Sequence, residues 1–283
     1  MELAVWQLGG RYVPRDLALS RQNFGKAAAL GHRQAQSIYL NLLGVGIGGV
    51  RDWAAALDRL QKLGQTDNDA QRQLRLLQAM ALDENGDPLQ PPSGDRLSKS
   101  PEVVRFSDLL TAEECRYLID RATPALAPAV VIDPASGRTV PHPIRTSENA
   151  GFPWVDEDPV IHALNRRIAA ASLTQASWGE PLQVLRYRPG QQYKPHHDAI
   201  AQAKNQRIIT VLVYLNEGYV GGETEFLHTG LRVAGRTGDA LLFRNADNNG
   251  TPDPTAVHAG RPVTSGEKFL ATRWIHQRHF GPS

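Results

Sequence analysis

The chain has 283 residues, which is enough for one large domain or for two domains of ordinary size. Hydrophobic residues make up 41% of it and charged residues 21%, the balance of a folded globular protein rather than a disordered one. The net charge of +2 argues against a dedicated nucleic-acid or anionic-membrane surface, and the single cysteine excludes an internal disulfide framework and a cysteine-based zinc site.

The chain begins with MELAVWQLGG, which lacks the basic and long apolar regions of a signal peptide. No apolar run approaches the roughly 20 residues that span a bilayer. We therefore expect a cytoplasmic protein that makes no membrane contact.

Residues 16 to 82 are predicted to be almost entirely helical, because they are rich in Ala, Leu, Gln and Arg with apolar residues at helical spacing. Two similar segments, around Ala35 and Ala70, are separated by 35 residues, which is near the period of helix–turn–helix repeats of the tetratricopeptide class. Their pattern resembles the Sel-like members of that class. Stacked helical pairs of this kind present a groove to a partner. The alternative is a plain helical cap on the neighbouring domain, because a stable solenoid needs three or more repeats.

Residues 83 to 100, DENGDPLQPPSGDRLSKS, carry three prolines and two glycines and are predicted to be a linker. The composition changes on either side of this segment. We therefore predict an α-helical repeat-like domain over residues 1–82 and a second domain over residues 101–283.

The second domain begins with mixed elements. EVVRF at 102–106 is typical of a strand, and Thr111 with Glu114 forms a capping box that opens a helix. Residues 130–144 indicate strands joined by a long loop with turn residues DPASG, and Asp158-Pro159 begins another helix.

From Leu182 onward, short strand-like runs follow one another with Gly-rich turns and without helical patterns between them: LQVLRYR, RIITVLVYLN, GDALLF and EKFLATRWI. Many short strands at this spacing indicate an antiparallel sandwich or jelly roll. The fold class is therefore predicted as α+β: a jelly roll (double-stranded β-helix) with flanking helices, preceded by the small all-α domain.

His196 and Asp198 are the most informative residues of this region. Side chains at i and i+2 of a strand point to the same face, so an imidazole and a carboxylate project together while His197 points away. His258 is a third possible ligand, and a lysine, Lys268, follows ten residues later. Two His and one carboxylate form the arrangement of non-haem Fe(II) oxygenases. The pair alone is weak evidence, since a hydrogen-bonded or solvated His-x-Asp is common.

Residues 101 to 280 resemble the catalytic domain of prolyl 4-hydroxylase-type, 2-oxoglutarate-dependent Fe(II) dioxygenases. The similarity covers nearly the whole second domain. The matching stretches are RTSENAGF at 145–152, GEPLQVLRYRPGQQYKPHHDA at 179–199, RIITVLVYLNEGYVGGETEF at 207–226, GDALLF at 238–243 and HAGRPVTSGEKFLATRWI at 258–275.

The resemblance implies that the iron ligands are His196, Asp198 and His258. It also implies that Lys268 pairs with the distal carboxylate of 2-oxoglutarate, with Tyr187 and Thr224 in the same pocket. Such a pairing agrees with the chemistry, because a carboxylate buried in an apolar sheet is costly without a charge partner.

The resemblance further implies a peptide groove beside the metal, lined by Tyr193, Arg207, Trp274 and His276 and closed by Arg145. The cofactors implied are Fe(II), 2-oxoglutarate and O2, with L-ascorbate as reductant. The expected reaction is hydroxylation of a prolyl residue in a peptide or protein, which the N-terminal helices help to select, with conversion of 2-oxoglutarate to succinate. Hydroxylation of a free amino acid or a peptide natural product is the alternative.

Three other functions use part of this pattern. A zinc hydrolase accepts the same ligands, but Lys268 and the missing general-base glutamate motif oppose it. Nucleic-acid demethylases of the superfamily typically carry arginine where this chain has Lys268. A repeat-based binding protein with a degenerate oxygenase domain is opposed by the intact set of three ligands.

Overall fold

The computed structural model describes residues 1–132 and 138–281, so the turn predicted at DPASG lies outside the described residues. The described residues form two compact units. We call residues 1–91 with 152–167 the helical unit and residues 92–151 with 168–281 the sheet unit. None of the described helices is long and apolar enough to cross a membrane.

The α-helices begin where polar side chains cap them. Asp16, Asp52 and Asp67 each accept a hydrogen bond from a backbone N–H in the first turn of the helix that follows, as an N-cap does. The helices are α1 (Glu2–Gly9), α2 (Leu17–Ala29), α3 (Arg33–Val45), α4 (Trp53–Leu63), α5 (Asn68–Ala79), α6 (Ala112–Ala122) and α7 (Pro159–Ala171).

The helical unit packs α1 to α5 one against the next. Phe24, Ala35 and Leu42 are buried between the first three of these helices. The predicted helical region is therefore present, and its assignment to a repeat class stays a prediction. Residues 152–167 belong to this unit, and within it the Asn41 amide donates to the Val155 carbonyl at 2.8 Å.

The strands of the sheet unit are short and antiparallel. The capping box of Thr111 and Glu114 is present at the start of α6, as predicted. The strands are β1 (Asp95–Lys99), β2 (Glu102–Phe106), β3 (Ala127–Pro128), β4 (Val130–Ile132), β5 (Thr139–Pro141), β6 (Glu148–Gly151), β7 (Gln183–Tyr187), β8 (Tyr193–His196), β9 (Arg207–Tyr214), β10 (Val220–Gly221), β11 (Thr224–Phe226), β12 (Leu231–Val233), β13 (Ala240–Arg244), β14 (His258–Gly260), β15 (Val263–Ser265) and β16 (Lys268–His276).

Two of the sheets enclose the core of this unit. The larger has the order β1-β2-β13-β9-β16-β7-β6-β3 and the smaller β12-β11-β14-β8. Phe226 of the smaller sheet meets Phe243 of the larger one edge to face, with ring centroids 5.1 Å apart. Leu185, Leu212 and Leu270 of the larger sheet belong to the same cluster. The jelly-roll prediction is confirmed.

Candidate metal centre

The three predicted ligands meet between neighbouring strands of the smaller sheet. His196 ends β8, Asp198 follows it, and His258 begins β14, where it is the direct cross-strand partner of His196. The Asp198 Oδ1 lies 3.6 Å from the His196 Nε2, and its Oδ2 lies 3.7 Å from the His258 Nε2. One potential ligand atom from each residue lies within 4.8 Å of the others. As the i, i+2 argument predicts, His197 takes a different direction and contacts the Asp253 carbonyl at 2.7 Å.

Backbone carbonyls determine which nitrogen of each imidazole is free. The Nδ1 of His196 lies 2.8 Å from the Lys194 carbonyl, and the Nδ1 of His258 lies 3.0 Å from the Ala256 carbonyl. A carbonyl can only accept, so each Nδ1 carries the proton and each Nε2 keeps its lone pair. The Nε2 lone pairs of His196 and His258 are therefore both free beside the Asp198 carboxylate, where they can bind a metal ion.

The protonation states also suit a metal. Burial, with the neighbouring His258 second, lowers the pKa of His196 to about 4, and burial lowers the pKa of His258. Burial raises the pKa of Asp198, but the His258 and His196 rings outweigh it, so the pKa lies below its usual value. Two neutral imidazoles and one carboxylate are the forms that bind a divalent ion. The donor set fits Fe(II).

A cavity opens beside these ligands, and its empty space together with its solvent-filled mouth amounts to about 480 Å³. Its lining combines the three ligand residues with apolar and aromatic side chains of the larger sheet, the composition of a small-molecule site. The lining residues are Leu185, Tyr187, Tyr193, His196, Asp198, Leu212, Thr224, His258, Gly260, Arg261, Lys268, Leu270, Thr272 and Trp274.

Lys268 supplies a buried positive charge to this cavity. Its side chain is 2% exposed, and its ammonium donates to the Gly222 carbonyl at 2.6 Å. The rings of Tyr214, Tyr187 and Tyr219 surround it with centroids 5.3, 5.8 and 6.0 Å away. Within the described residues, no carboxylate forms an ion pair with it. A ligand that brings a carboxylate into the cavity would complete the site, so the residues fit 2-oxoglutarate.

The pKa of Lys268 is lowered to about 8 because burial penalises the charged form, which the more distant Glu223 offsets only in part. Burying the charged ammonium therefore costs free energy. A carboxylate bound beside it would offset this desolvation penalty.

Thr224 and Tyr187, the other predicted cosubstrate residues, both line the cavity. Thr224 is buried, and its hydroxyl oxygen lies 3.1 Å from the Tyr214 hydroxyl, which can donate to it. The Tyr214 hydroxyl also donates to the Val233 carbonyl at 3.1 Å, so its single hydrogen is shared between two acceptors. Tyr187 is the direct cross-strand partner of Lys268, which places the two side chains next to each other.

The predicted substrate residues divide into two groups. Tyr193 and Trp274 line the cavity, and the Tyr193 ring stacks on His196 with centroids 3.4 Å apart. Arg145 and Arg207 instead contact these two rings, at 5.6 Å from the Tyr193 centroid and 4.2 Å from the Trp274 centroid respectively. His276 also lies outside the cavity lining and is buried, with its Nδ1 2.7 Å from the Asn205 carbonyl and its Nε2 2.8 Å from the Glu180 carboxylate.

Glu180 is a site residue that the sequence interpretation missed. Its carboxylate accepts hydrogen bonds from the Nε and from an NH2 group of Arg207, the latter at 2.9 Å. It also lies 2.8 Å from the His276 Nε2. Burial raises the pKa of Glu180, but hydrogen bonds from His276 and Arg207 outweigh this and lower it. The signal in the sequence was a single acid in GEPLQ directly before a buried strand, which has no meaning until its distant partners are known.

Comparison with known proteins gives consistent results. The family described as "2OG-Fe(II) oxygenase superfamily" matches residues 182–276. Prolyl 4-hydroxylase 1 of Arabidopsis thaliana is 39% identical over 201 residues, covering 64% of this chain and 71% of the relative. Probable prolyl 4-hydroxylase 3 of the same organism is 36% identical over 204 residues, with the same two coverages of 64% and 71%.

Among solved structures, the viral collagen prolyl hydroxylase of Paramecium Bursaria Chlorella virus-1, in its 2-oxoglutarate complex, superposes with a TM-score of 0.50 at 30% identity. The superposition covers 62% of this chain and 95% of the viral protein.

Proposed function

This chain belongs to the 2OG-Fe(II) oxygenase superfamily, within the prolyl 4-hydroxylase type, and on that premise we propose that it hydroxylates a prolyl residue of a peptide or protein. It is a dioxygenase that uses Fe(II), 2-oxoglutarate and O2. The observation that carries the proposal is that three metal-ligand side chains and a buried ammonium line one cavity.

We propose that His196, Asp198 and His258 hold Fe(II) and that Lys268, Thr224 and Tyr187 hold 2-oxoglutarate. With both bound, the site would use O2 to oxidise a substrate C–H bond to an alcohol, which takes one oxygen atom, while 2-oxoglutarate loses CO2 and takes the other to become succinate. The two Nδ1–H groups, fixed on backbone carbonyls, keep the imidazoles oriented throughout.

The residues beyond the ligands exclude water and orient the substrate. Tyr193 and Trp274 bring aromatic rings to the lining of the cavity that holds His196 and His258, and such rings suit contact with the ring of a prolyl residue. Glu180 fixes Arg207 against Trp274, so the positions of Trp274, Arg207 and His276 depend on one another. We propose that this cluster and Arg145 bind the peptide chain.

The N-terminal helices are proposed to help to dock a protein substrate. Leu3 and Tyr12, on α1 and just after it, are 48% and 64% exposed, which is consistent with a docking role for this region. Docking of this kind would raise the local concentration of the substrate without changing the chemistry at the metal.

The test is mass spectrometry of proline-containing peptides and candidate proteins after incubation with the enzyme, Fe(II), ascorbate and 2-oxoglutarate. We expect a gain of one oxygen on proline in the wild type and none in Asp198→Ala. If only free amino acids or small peptide products gain oxygen, the enzyme is an oxygenase with a different substrate class.

A further inference from the structure

The Asp198 carboxylate is anchored by a chain of two hydrogen bonds from buried polar residues. The Thr210 hydroxyl, on β9, donates to the Asp198 Oδ2 at 2.6 Å. The Asn245 amide, directly after β13, donates to the Thr210 Oγ1 at 2.8 Å. Thr210 is 1% exposed and Asn245 0%, so water does not compete for either hydrogen bond.

The two hydrogen bonds run in one direction. An amide nitrogen only donates, so the Thr210 oxygen accepts from Asn245 and its single hydrogen is directed to Asp198. A carboxylate only accepts, which makes this a charge-assisted bond, consistent with its length of 2.6 Å. Asn245 is itself anchored, because its backbone N–H donates to the Ile208 carbonyl at 2.8 Å and its carbonyl accepts from the Asp253 N–H at 2.8 Å.

The consequence is an inequality between the two carboxylate oxygens. Both oxygens face an imidazole, Oδ1 at 3.6 Å from the His196 Nε2 and Oδ2 at 3.7 Å from the His258 Nε2. Oδ2 also uses one acceptor position for Thr210, whereas within the described residues no hydrogen bond reaches Oδ1. We propose that Thr210, held by Asn245, is a positioning residue that makes Asp198 a ligand through Oδ1 alone. This rests on the proposed iron role of Asp198.

Coordination through a single oxygen of Asp198 would keep positions of the metal open. If Fe(II) is held by two imidazoles and one carboxylate oxygen, its remaining positions would be available to 2-oxoglutarate and O2. A carboxylate free to rotate could bind through both oxygens and take one of those positions. The Thr210–Asn245 pair therefore protects the open face of the ion as well as its affinity.

The test uses Co(II) added to the metal-free protein, which needs neither turnover nor a known substrate. Thr210→Val removes the hydroxyl at nearly constant volume. We expect its Co(II) affinity to fall about 10- to 100-fold, as for other residues that orient a metal ligand. In the presence of 2-oxoglutarate, the visible Co(II) absorption of Thr210→Val, which reports the coordination number, should differ from that of the wild type. Thr210→Ser keeps the hydroxyl and should restore both affinity and spectrum.

Two further variants separate positioning from stability. Ser172→Ala removes another buried hydroxyl of the sheet unit, one that contacts two backbone carbonyls of α7 and the Thr174 hydroxyl, and should lower the unfolding temperature without changing Co(II) binding. Asn245→Ala leaves the Thr210 hydroxyl in place but unanchored and should lower the Co(II) affinity less than Thr210→Val does.

Wild-type affinity and spectrum in Thr210→Val would overturn the inference, and if that variant does not fold, unchanged Co(II) binding in Asn245→Ala would do so. These outcomes are independent of the substrate. If the wild type binds Co(II) and 2-oxoglutarate but hydroxylates no prolyl peptide, the proposed substrate fails while the inference about Asp198 stands.

Discussion

At the scale of single residues, the metal ligands should matter for the metal and little for the fold. Replacing Asp198 or His258 by Ala removes one of three ligands, so iron binding should be lost and succinate formation abolished. The core cluster around Phe226 and Phe243 keeps its own side chains, so both variants should remain folded. His258→Ala should be the less stable of the two, because it also removes a ring that packs on Phe243 with centroids 4.5 Å apart. Iron content, succinate release and thermal unfolding, measured on the same samples, check this. Retained succinate production in both variants would refute the ligand assignment.

Lys268→Ala should weaken 2-oxoglutarate binding strongly, because the distal carboxylate would be buried without a cation. The loss of one partner of a desolvated charge pair costs on the order of 2–4 kcal/mol, or roughly 30- to 700-fold in affinity. Lys268→Arg should rescue only partly, since a planar guanidinium does not fit the volume of an ammonium surrounded by three tyrosine rings.

The Michaelis constant for 2-oxoglutarate measures the effect of Lys268→Ala. The control is Lys99→Ala, which removes an exposed lysine of the same unit and should leave that constant unchanged. Equal constants in the wild type and Lys268→Ala would exclude the role of Lys268.

The lowered pKa of Lys268, about 8, gives a pH dependence with a defined sign. The ammonium form pairs with the carboxylate, so 2-oxoglutarate binding should weaken as the pH rises through about 8, by about tenfold at one unit above the pKa. The same group destabilises the fold while it is charged. Its contribution to stability therefore rises between about pH 8 and the ordinary lysine value of 10.5.

Calorimetric titration of 2-oxoglutarate under anaerobic conditions from pH 7 to pH 9.5 checks this dependence. Lys268→Arg stays charged throughout and should bind 2-oxoglutarate with a flat profile over the same range. A flat profile for the wild type would contradict the prediction.

At the scale of elements, β16 explains why much of the site could be predicted from the sequence. Lys268, Leu270, Thr272 and Trp274 all line the cavity, as alternate residues of one strand must. Once EKFLATRWI is assigned as a strand, its cavity face follows. The pairing of β8 with β14 does not follow, although it brings His258 opposite His196.

The residues that were missed share a physical reason. Glu180 lies 27 positions from Arg207 and 96 from His276, and no local pattern joins them. Thr210 was visible only as a polar residue within the apolar run IITVLV, which signals a buried polar contact but not its partner. Periodicity identifies the face of a strand, whereas the order of strands in the sheet determines which side chains meet.

The turn between β10 and β11 gives a prediction at this scale. Gly222 has φ +73°, and a Cβ there would lie 3.1 Å from the Lys268 Cδ and 3.0 Å from the Val263 Cγ2. Gly222→Ala should therefore both strain the backbone and disturb the ammonium that its carbonyl holds. Gly218→Ala is the matched control, because Gly218 has φ +86° and open space around the added Cβ.

Both glycine variants should lose stability by about 1 kcal/mol or more from the left-handed backbone. Only Gly222→Ala should raise the Michaelis constant for 2-oxoglutarate. Chemical unfolding and steady-state kinetics measure the two effects separately. If the two variants gave the same Michaelis constant, the turn would have no part in holding Lys268.

At the scale of the whole molecule, the proposed division at residues 83–100 can be tested by a chain that begins at Ser98. Every proposed ligand lies after Arg145, so this chain should still bind Fe(II) and 2-oxoglutarate. It should nevertheless be less stable, because residues 152–167 belong to the helical unit and lose contacts such as that of His162 with Trp53, whose ring centroids lie 5.9 Å apart.

If the helices dock a protein substrate, the truncated chain should keep its activity on a short peptide at high concentration and lose it on the full-length target. Trp53→Ala in the full chain is the control, because it removes buried packing of the helical unit, at about 3–5 kcal/mol, but keeps the exposed surface. Assayed below its unfolding temperature, this variant should treat both substrates as the wild type does. Parallel losses on both substrates in the truncated chain and in Trp53→Ala would make the helices a stabilising cap. Undiminished activity of the truncated chain on both substrates would exclude any role of residues 1–82 in catalysis.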